Sequence, residues 1–95
     1  MSRFTVHGHD LFDGHDRRIA TVSGLALYDA NNQRVASIHG NELLDADRRI
    51  MAVFRGSDIY DYRSEKVGSI ADVKSSIKGA AEEMIYVAMW YCFVR

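Results

Sequence analysis

Gly8, Gly24, Gly40 and Gly56 recur every 16 residues, and Asp13, Asp29, Asp45 and Asp61 each follow five places later. A strict internal period constrains a chain more than its composition does, because every copy must take up the same local structure and bury the same face against its neighbours. The copies span 8–23, 24–39, 40–55 and 56–71 and read GHDLFDGHDRRIATVS, GLALYDANNQRVASIH, GNELLDADRRIMAVFR and GSDIYDYRSEKVGSIA. Their columns keep their chemistry: Leu11, Leu27, Leu43, Ile59; Phe12, Tyr28, Leu44, Tyr60; Ile19, Val35, Met51, Val67; Ala20, Ala36, Ala52, Gly68; Val22, Ile38, Phe54, Ile70.

Each unit has the pattern of a β-hairpin: an apolar pair, a polar turn, a second apolar stretch, and glycine at the junction. The aspartate opens the turn, where its carboxylate is placed to accept backbone N–H groups in an Asx-turn. A four-residue loop would set it opposite Arg18, Arg34 or Lys66 as a cross-strand ion pair. The third unit departs, with Ile50 in the basic place. The repeated glycine marks a corner needing positive φ. Side chains alternate along a strand, so this register puts Leu11, Ala20, Val22 and their equivalents on one face, read as the core. Phe12, Ile19 and their equivalents fall on the other, which needs a cover. Small residues at Ala20, Ala36, Ala52 and Gly68 fit hairpins converging on a common axis.

The pattern (L/I)-(Y/F)-D, polar turn, (R/K)-V-A-x-I, glycine, carried four times over residues 8–71, resembles the four-fold β-flower proteins of bacteria. The resemblance implies a mainly β fold, with hairpin petals around a pseudo-four-fold axis, and assembly into homo-oligomers. It implies no enzymatic activity. The YD repeats of bacterial secreted toxins share a YD and basic pattern, but their longer period and longer arrays fit less well.

After Val73 the period stops. Residues 73–94 read as one C-terminal apolar helix within a single domain, 1–95: Ser75–Met84 offers helix formers and early acidic residues, and Met84–Val94 is apolar all round. The competing reading is a ninth strand over Ile85–Tyr91. Four small hairpins hide few large side chains, so Tyr86, Trp90 and Phe93 are expected at a subunit interface. A protein-partner adaptor using Trp90 is the related alternative.

Other expectations follow from composition. A net charge of −1 argues against nucleic acid. The longest apolar run, Met84–Val94, is too short for the roughly 20 residues of a membrane span. Cys92, the one cysteine, permits no intrachain disulfide and fits a reducing, cytoplasmic setting. The start of the chain lacks the apolar core of a signal peptide. His7, His9, His15 and Asp16 form a weak metal candidate without a thiolate pair or HExxH, so no metal and no cofactor is expected. Ser23, Ser37 and Ser69 lack a base, four equivalent aspartates read as turn caps, and the arginines at 17, 18, 48, 49 and 63 alternate with acids, so no catalytic residue is assigned. The best ligand candidate is an aromatic slot of Phe12, Tyr28, Leu44 and Tyr60, suited to an elongated neutral, amphipathic or polyether-like chain; packing beneath the helix is the plain alternative. The function expected is a homo-oligomeric binding or scaffold module, against a hydrolase or lyase with its site at a subunit boundary. The third repeat, with Leu44, Ile50, Val53 and Phe54, is the most apolar and is expected to carry extra contacts, either with the helix or across an interface, so Phe54→Ser is expected to destabilise more than Ile38→Ser.

Overall fold

The computed structural model describes residues 4–95. Its strands are β1 (Phe4–His7), β2 (Asp10–Phe12), β3 (Arg18–Ser23), β4 (Ala26–Asp29), β5 (Arg34–His39), β6 (Glu42–Asp45), β7 (Ile50–Arg55), β8 (Asp58–Asp61), β9 (Lys66–Ser69) and β10 (Ile77–Lys78). Two short helices complete it: α1 (Ile70–Ser76), and α2 (Met84–Met89), which runs on into a wide π-helical turn over Trp90–Val94. The ten strands form one sheet in the order β10-β1-β2-β3-β4-β5-β6-β7-β8-β9. The chain is therefore mainly β, a sequential antiparallel meander with one parallel strand, β10, added beside β1.

Two turn types alternate along it. At the glycine end, Ser23 pairs with Ala26 across the two-residue turn Gly24-Leu25, with φ +62° at Gly24. Positive φ at the first central position is the type II′ arrangement, whose twist matches that of the flanking strands. A Cβ at Gly24 would meet nothing within 4 Å, so φ alone requires the glycine. At the aspartate end, Asp13 N–H donates to the Arg17 carbonyl at 3.0 Å and Asp16 N–H to the Asp13 carbonyl at 3.2 Å. The loop has three residues and closes through a left-handed residue, Asp16, Asn32, Arg48 or Ser64. The register then shifts between Leu11 and Phe12, and at the same place in every repeat.

This bulge corrects two expectations. It sets Phe12 opposite Arg18, Tyr28 opposite Arg34 and Tyr60 opposite Lys66, where aspartate was expected. The aspartate–basic cross-strand pairs are not made among the described residues; Arg17 Nε reaches Asp13 Oδ2 at 3.3 Å and Lys66 Nζ reaches Asp58 Oδ1 at 3.2 Å. The extra residue also turns Ile19, Val35, Met51 and Val67 onto the core, away from Phe12 and its equivalents.

Leu11, Leu27, Leu43 and Ile59 are fully buried with Ala20, Ala36, Ala52, Val22 and Ile38 on the inner face. Val73, Ile77, Val87, Ala88, Met89 and Trp90 cover them from the C-terminal segment. Ala20, Ala36 and Ala52 are buried in the core, and Gly68 is their counterpart in the last repeat. They lie on β3, β5, β7 and β9, each separated from the next by a short strand. Smallness at the last of them has a local cause: a Cβ on Gly68 would overlap Trp90 Cη2 and lie 3.1 Å from its Cζ2. Trp90, expected at a subunit surface, is only 6% exposed and belongs to the chain's own core.

The C-terminal segment is not one helix. Asp72 Oδ2 accepts from the Ser69 N–H at 2.9 Å and from Ser69 Oγ at 3.3 Å, which starts α1 inside the last repeat. Ser69 is the residue whose counterparts Thr21, Ser37 and Val53 pair with the following strand. Asp72 thus takes the backbone donor that would invite a further strand, and closes that edge. The chain then crosses to β10, and Gly79, at φ +92°, lets the backbone pass close to the Val6 carbonyl, where a Cβ would lie 3.0 Å away. Ile85–Tyr91 is helical, so the ninth-strand reading falls.

Two predictions follow from this packing. Gly68→Ala, although it restores the residue of the other three repeats, destabilises by about 1–3 kcal/mol in denaturant melts. Trp90→Leu in the same chain recovers part of that loss in a double-mutant cycle. Ile38 is 7% exposed while Phe54 is only partly buried, which reverses the expected ranking. Ile38→Ser loses about 2–5 kcal/mol, at least as much as Phe54→Ser.

Candidate binding groove

The four aspartates are turn caps. Asp13 Oδ1 accepts from His15 N–H at 2.8 Å and Arg17 N–H at 3.1 Å. Asp29, Asp45 and Asp61 each hold the two equivalent N–H groups of their own turns at 2.8–3.0 Å. Those backbone donors hold the Asp13 carboxyl below its ordinary value of 3.8, with a smaller contribution from the Arg17 charge. Nothing in this chemistry resembles an acid/base pair.

The aromatic column is spread over alternate strands. Phe12, Tyr28, Leu44 and Tyr60 sit on β2, β4, β6 and β8, with β3, β5 and β7 between them. All four are partly exposed and are not among the side chains packed against the core cluster. Tyr86 and Phe93 are partly buried against the core. His7 stacks edge-on to Phe12 at 5.6 Å, while His9 and His15 are exposed in two different turns. Among the described residues no three His, Cys, Asp or Glu side chains gather. Burial pushes the Cys92 thiol up to about 11, so it stays protonated and inert near neutral pH.

A groove of about 440 Å³ lies elsewhere, lined by Asp45, Arg49, Ile50, Met51, Tyr62 and Tyr91. The turns after β6 and β8 form its walls, and the π-helical turn supplies Tyr91, whose hydroxyl donates to the Met51 carbonyl at 3.4 Å. Arginines stack on both tyrosines. The Arg63 guanidinium carbon is 5.2 Å from the Tyr62 ring centroid, with Arg63 Nε donating to Tyr62 Oη at 2.9 Å. The Arg95 guanidinium carbon is 3.9 Å from the Tyr91 ring centroid. One Asp45 oxygen caps the turn, and the groove has an apolar and aromatic floor whose edge carries the Asp45 carboxylate beside the guanidinium groups of Arg49, Arg63 and Arg95.

Two lining residues break the repeat. Ile50 stands where Arg18, Arg34 and Lys66 stand in the other units, and Tyr62 where Gly14, Ala30 and Ala46 stand. They are 43% and 66% exposed. Sequence reasoning singled out Ile50 within the apolar third repeat, expected to make extra contacts with the helix or across an interface, and passed over Tyr62, whose column of small residues was the available signal. Tyr91 carried no signal, since the fold alone brings it to the third repeat. Comparison with protein-family models, with curated proteins and with solved structures finds no match.

The Asp13 cap has a pH consequence. A carboxyl held below its unfolded value contributes stability that is whole above that value and is lost as pH falls through the folded pKa. Asp13→Asn therefore lowers stability at neutral pH and flattens the loss seen on acidification below about pH 4. Thermal melts across that range check it, and an acid limb identical to that of the parent overturns it.

Proposed function

We propose that the chain is a β-repeat binding module that assembles with copies of itself and takes an apolar or amphipathic group into the groove of Ile50, Met51, Tyr62 and Tyr91. One observation carries the reading: the exposed apolar residues that break the repeat at positions 50 and 62 line a single cavity. A repeat supplies its own control, because three other units fold with a basic residue or a small one at those places. Neither Ile50 nor Tyr62 is required by the turn it stands in, so their meeting in one groove favours contact with a partner over packing. Aromatic side chains give large contact area at low conformational cost, and stacked arginines add directional polar contact at the edge.

The module acts in a reducing compartment, consistent with its lone cysteine, and no helix among the described residues is long and apolar enough to cross a membrane. The likeness to the β-flower proteins belongs to the same proposal. It is supported by the equivalence of the four units in turn type and bulge position. Strand order sets the hairpins side by side, and a rotational arrangement of petals additionally needs a regular twist between them.

Fluorescence titration with anilinonaphthalene sulfonate tests the site. The parent protein binds the dye, and Ile50→Arg with Tyr62→Ala together reduce the affinity at least tenfold while the cooperative melt is unchanged. Those substitutions restore the residues of the other repeats, so loss of fold is not the expected cause. Unaltered dye binding in the double variant overturns the reading.

A further inference from the structure

Among the described residues three large apolar side chains are exposed: Leu25 at 67%, Tyr62 at 66% and Ile50 at 43%. All three interrupt columns that are polar or small elsewhere; Leu25 stands where His9, Asn41 and Ser57 stand. Two of them line the groove. The third projects from the Gly24-Leu25 turn, whose flanks Ser23 and Ala26 are small, at the glycine end of the strands. The groove opens at the aspartate end. One chain thus carries an apolar knob and an apolar hole at opposite ends of its strands, where neither reaches the other.

The charges around them are complementary. The glycine turns that flank Leu25, together with its own, span 7–10, 23–26 and 39–42; they carry the carboxylates Asp10 and Glu42 and no lysine or arginine. At the groove the side chains against the walls are Arg49, Arg63 on Tyr62 and Arg95 on Tyr91. Asp45, Asp47, Asp61 and Glu65 lie in the same turns and keep their negative charge, Asp45 and Asp61 while accepting backbone N–H groups. The positive lead at the groove therefore comes from Arg49 in its lining and from the two guanidinium groups stacked on its tyrosines. A knob between carboxylates suits a hole edged by guanidinium groups.

We infer that the occupant of the groove is the Gly24-Leu25 turn of a second copy of this chain, docked head to tail. The inference rests on the groove reading above and names its partner. A knob and a hole on different surfaces make a heterologous contact, which leaves a free knob and a free hole on every pair and so continues into rows or closes as a ring. The contact is made by turns and not by sheet edges; at those edges Asp72 occupies the Ser69 donor, and the two-residue β10 lies beside β1.

Sedimentation equilibrium from micromolar to millimolar concentration tests it with three proteins: the parent, Leu25→His, and Ile50→Arg with Tyr62→Ala. Each substitution restores a residue found in the same column of another repeat. The parent's average mass rises with concentration above the 10.8 kDa of one chain, while each variant alone stays at that mass. An equimolar mixture of the two variants forms pairs and nothing larger, since Leu25→His retains the hole and the double variant retains the knob. A parent that stays monomeric at millimolar concentration overturns the inference. So does association that survives in Leu25→His, or a mixture without pairs. Dye binding separates the two levels: loss of dye in the double variant, with no self-association by the parent, leaves the groove standing and removes only the second copy as its occupant.

Discussion

Leu11, Leu27, Leu43 and Ile59 are wholly buried in one core cluster with Val73, Ile77, Val87, Ala88, Met89 and Trp90 of the C-terminal segment. A sheet of sequential hairpins is a single layer. Its apolar face is worth nothing to folding until a second layer covers it. Here that layer comes from the C-terminal segment: Val73, Ile77, and the short helix with its π-helical extension. Of the large side chains that the sequence reading assigned to a partner, Trp90 is spent in this contact, while Tyr86 and Phe93 are only partly buried in it. Gly68 shows how tight the fit is: the last repeat gives up a methyl group that the other three keep, and the Trp90 ring takes the space.

The same segment also ends the array. A meander of identical hairpins has no intrinsic stop, and each edge strand offers backbone donors to another chain. On one side Asp72 folds back onto Ser69 and turns the strand into α1. On the other, the chain returns to lay Ile77 and Lys78 beside β1. Both devices come from residues 69–79, the end of the last repeat and the stretch that follows it. They leave one short strand, β10, and the partly occupied β9 as the edges of the sheet.

The repeat, its strand polarity, the inner face and the turn-capping role of the aspartates were legible in the sequence, because each depends on local chemistry replicated four times. The bulge was not. It shifts the register by one residue only beyond Leu11, Leu27, Leu43 and Ile59, so it leaves the inner column intact while moving Ile19, Val35, Met51 and Val67 to the core. Its signal was the left-handed residue at Asp16, Asn32, Arg48 and Ser64, four residue types with no common side chain. The start of α1 was hidden for another reason: Ser69 and Ile70 continue the column pattern of the repeat while also serving as the cap and first residue of the helix, and the only departure is Asp72, where a further unit would have glycine. The groove was half legible. Ile50 and Tyr62 were visible departures, but only topology joins them, and Tyr91 comes from a segment about thirty residues further on.

Single exposed apolar side chains are ordinary on protein surfaces and need no explanation one at a time. A repeat changes what such a residue can mean. In an unrepeated fold, Leu25, Ile50 or Tyr62 would be compared with an average surface. Here each is compared with three positions that share its turn, its register and nearly its whole environment. The energetic requirements of those positions are met by histidine, asparagine or serine in one column, by arginine or lysine in the second and by glycine or alanine in the third. What the departures add is therefore not needed for the hairpin. Exposed apolar surface also carries an association hazard that the polar residues of the same columns avoid. This chain keeps two such departures within one cavity and a third at the opposite rim, so its exposed apolar surface lies where the repeats cease to be equal.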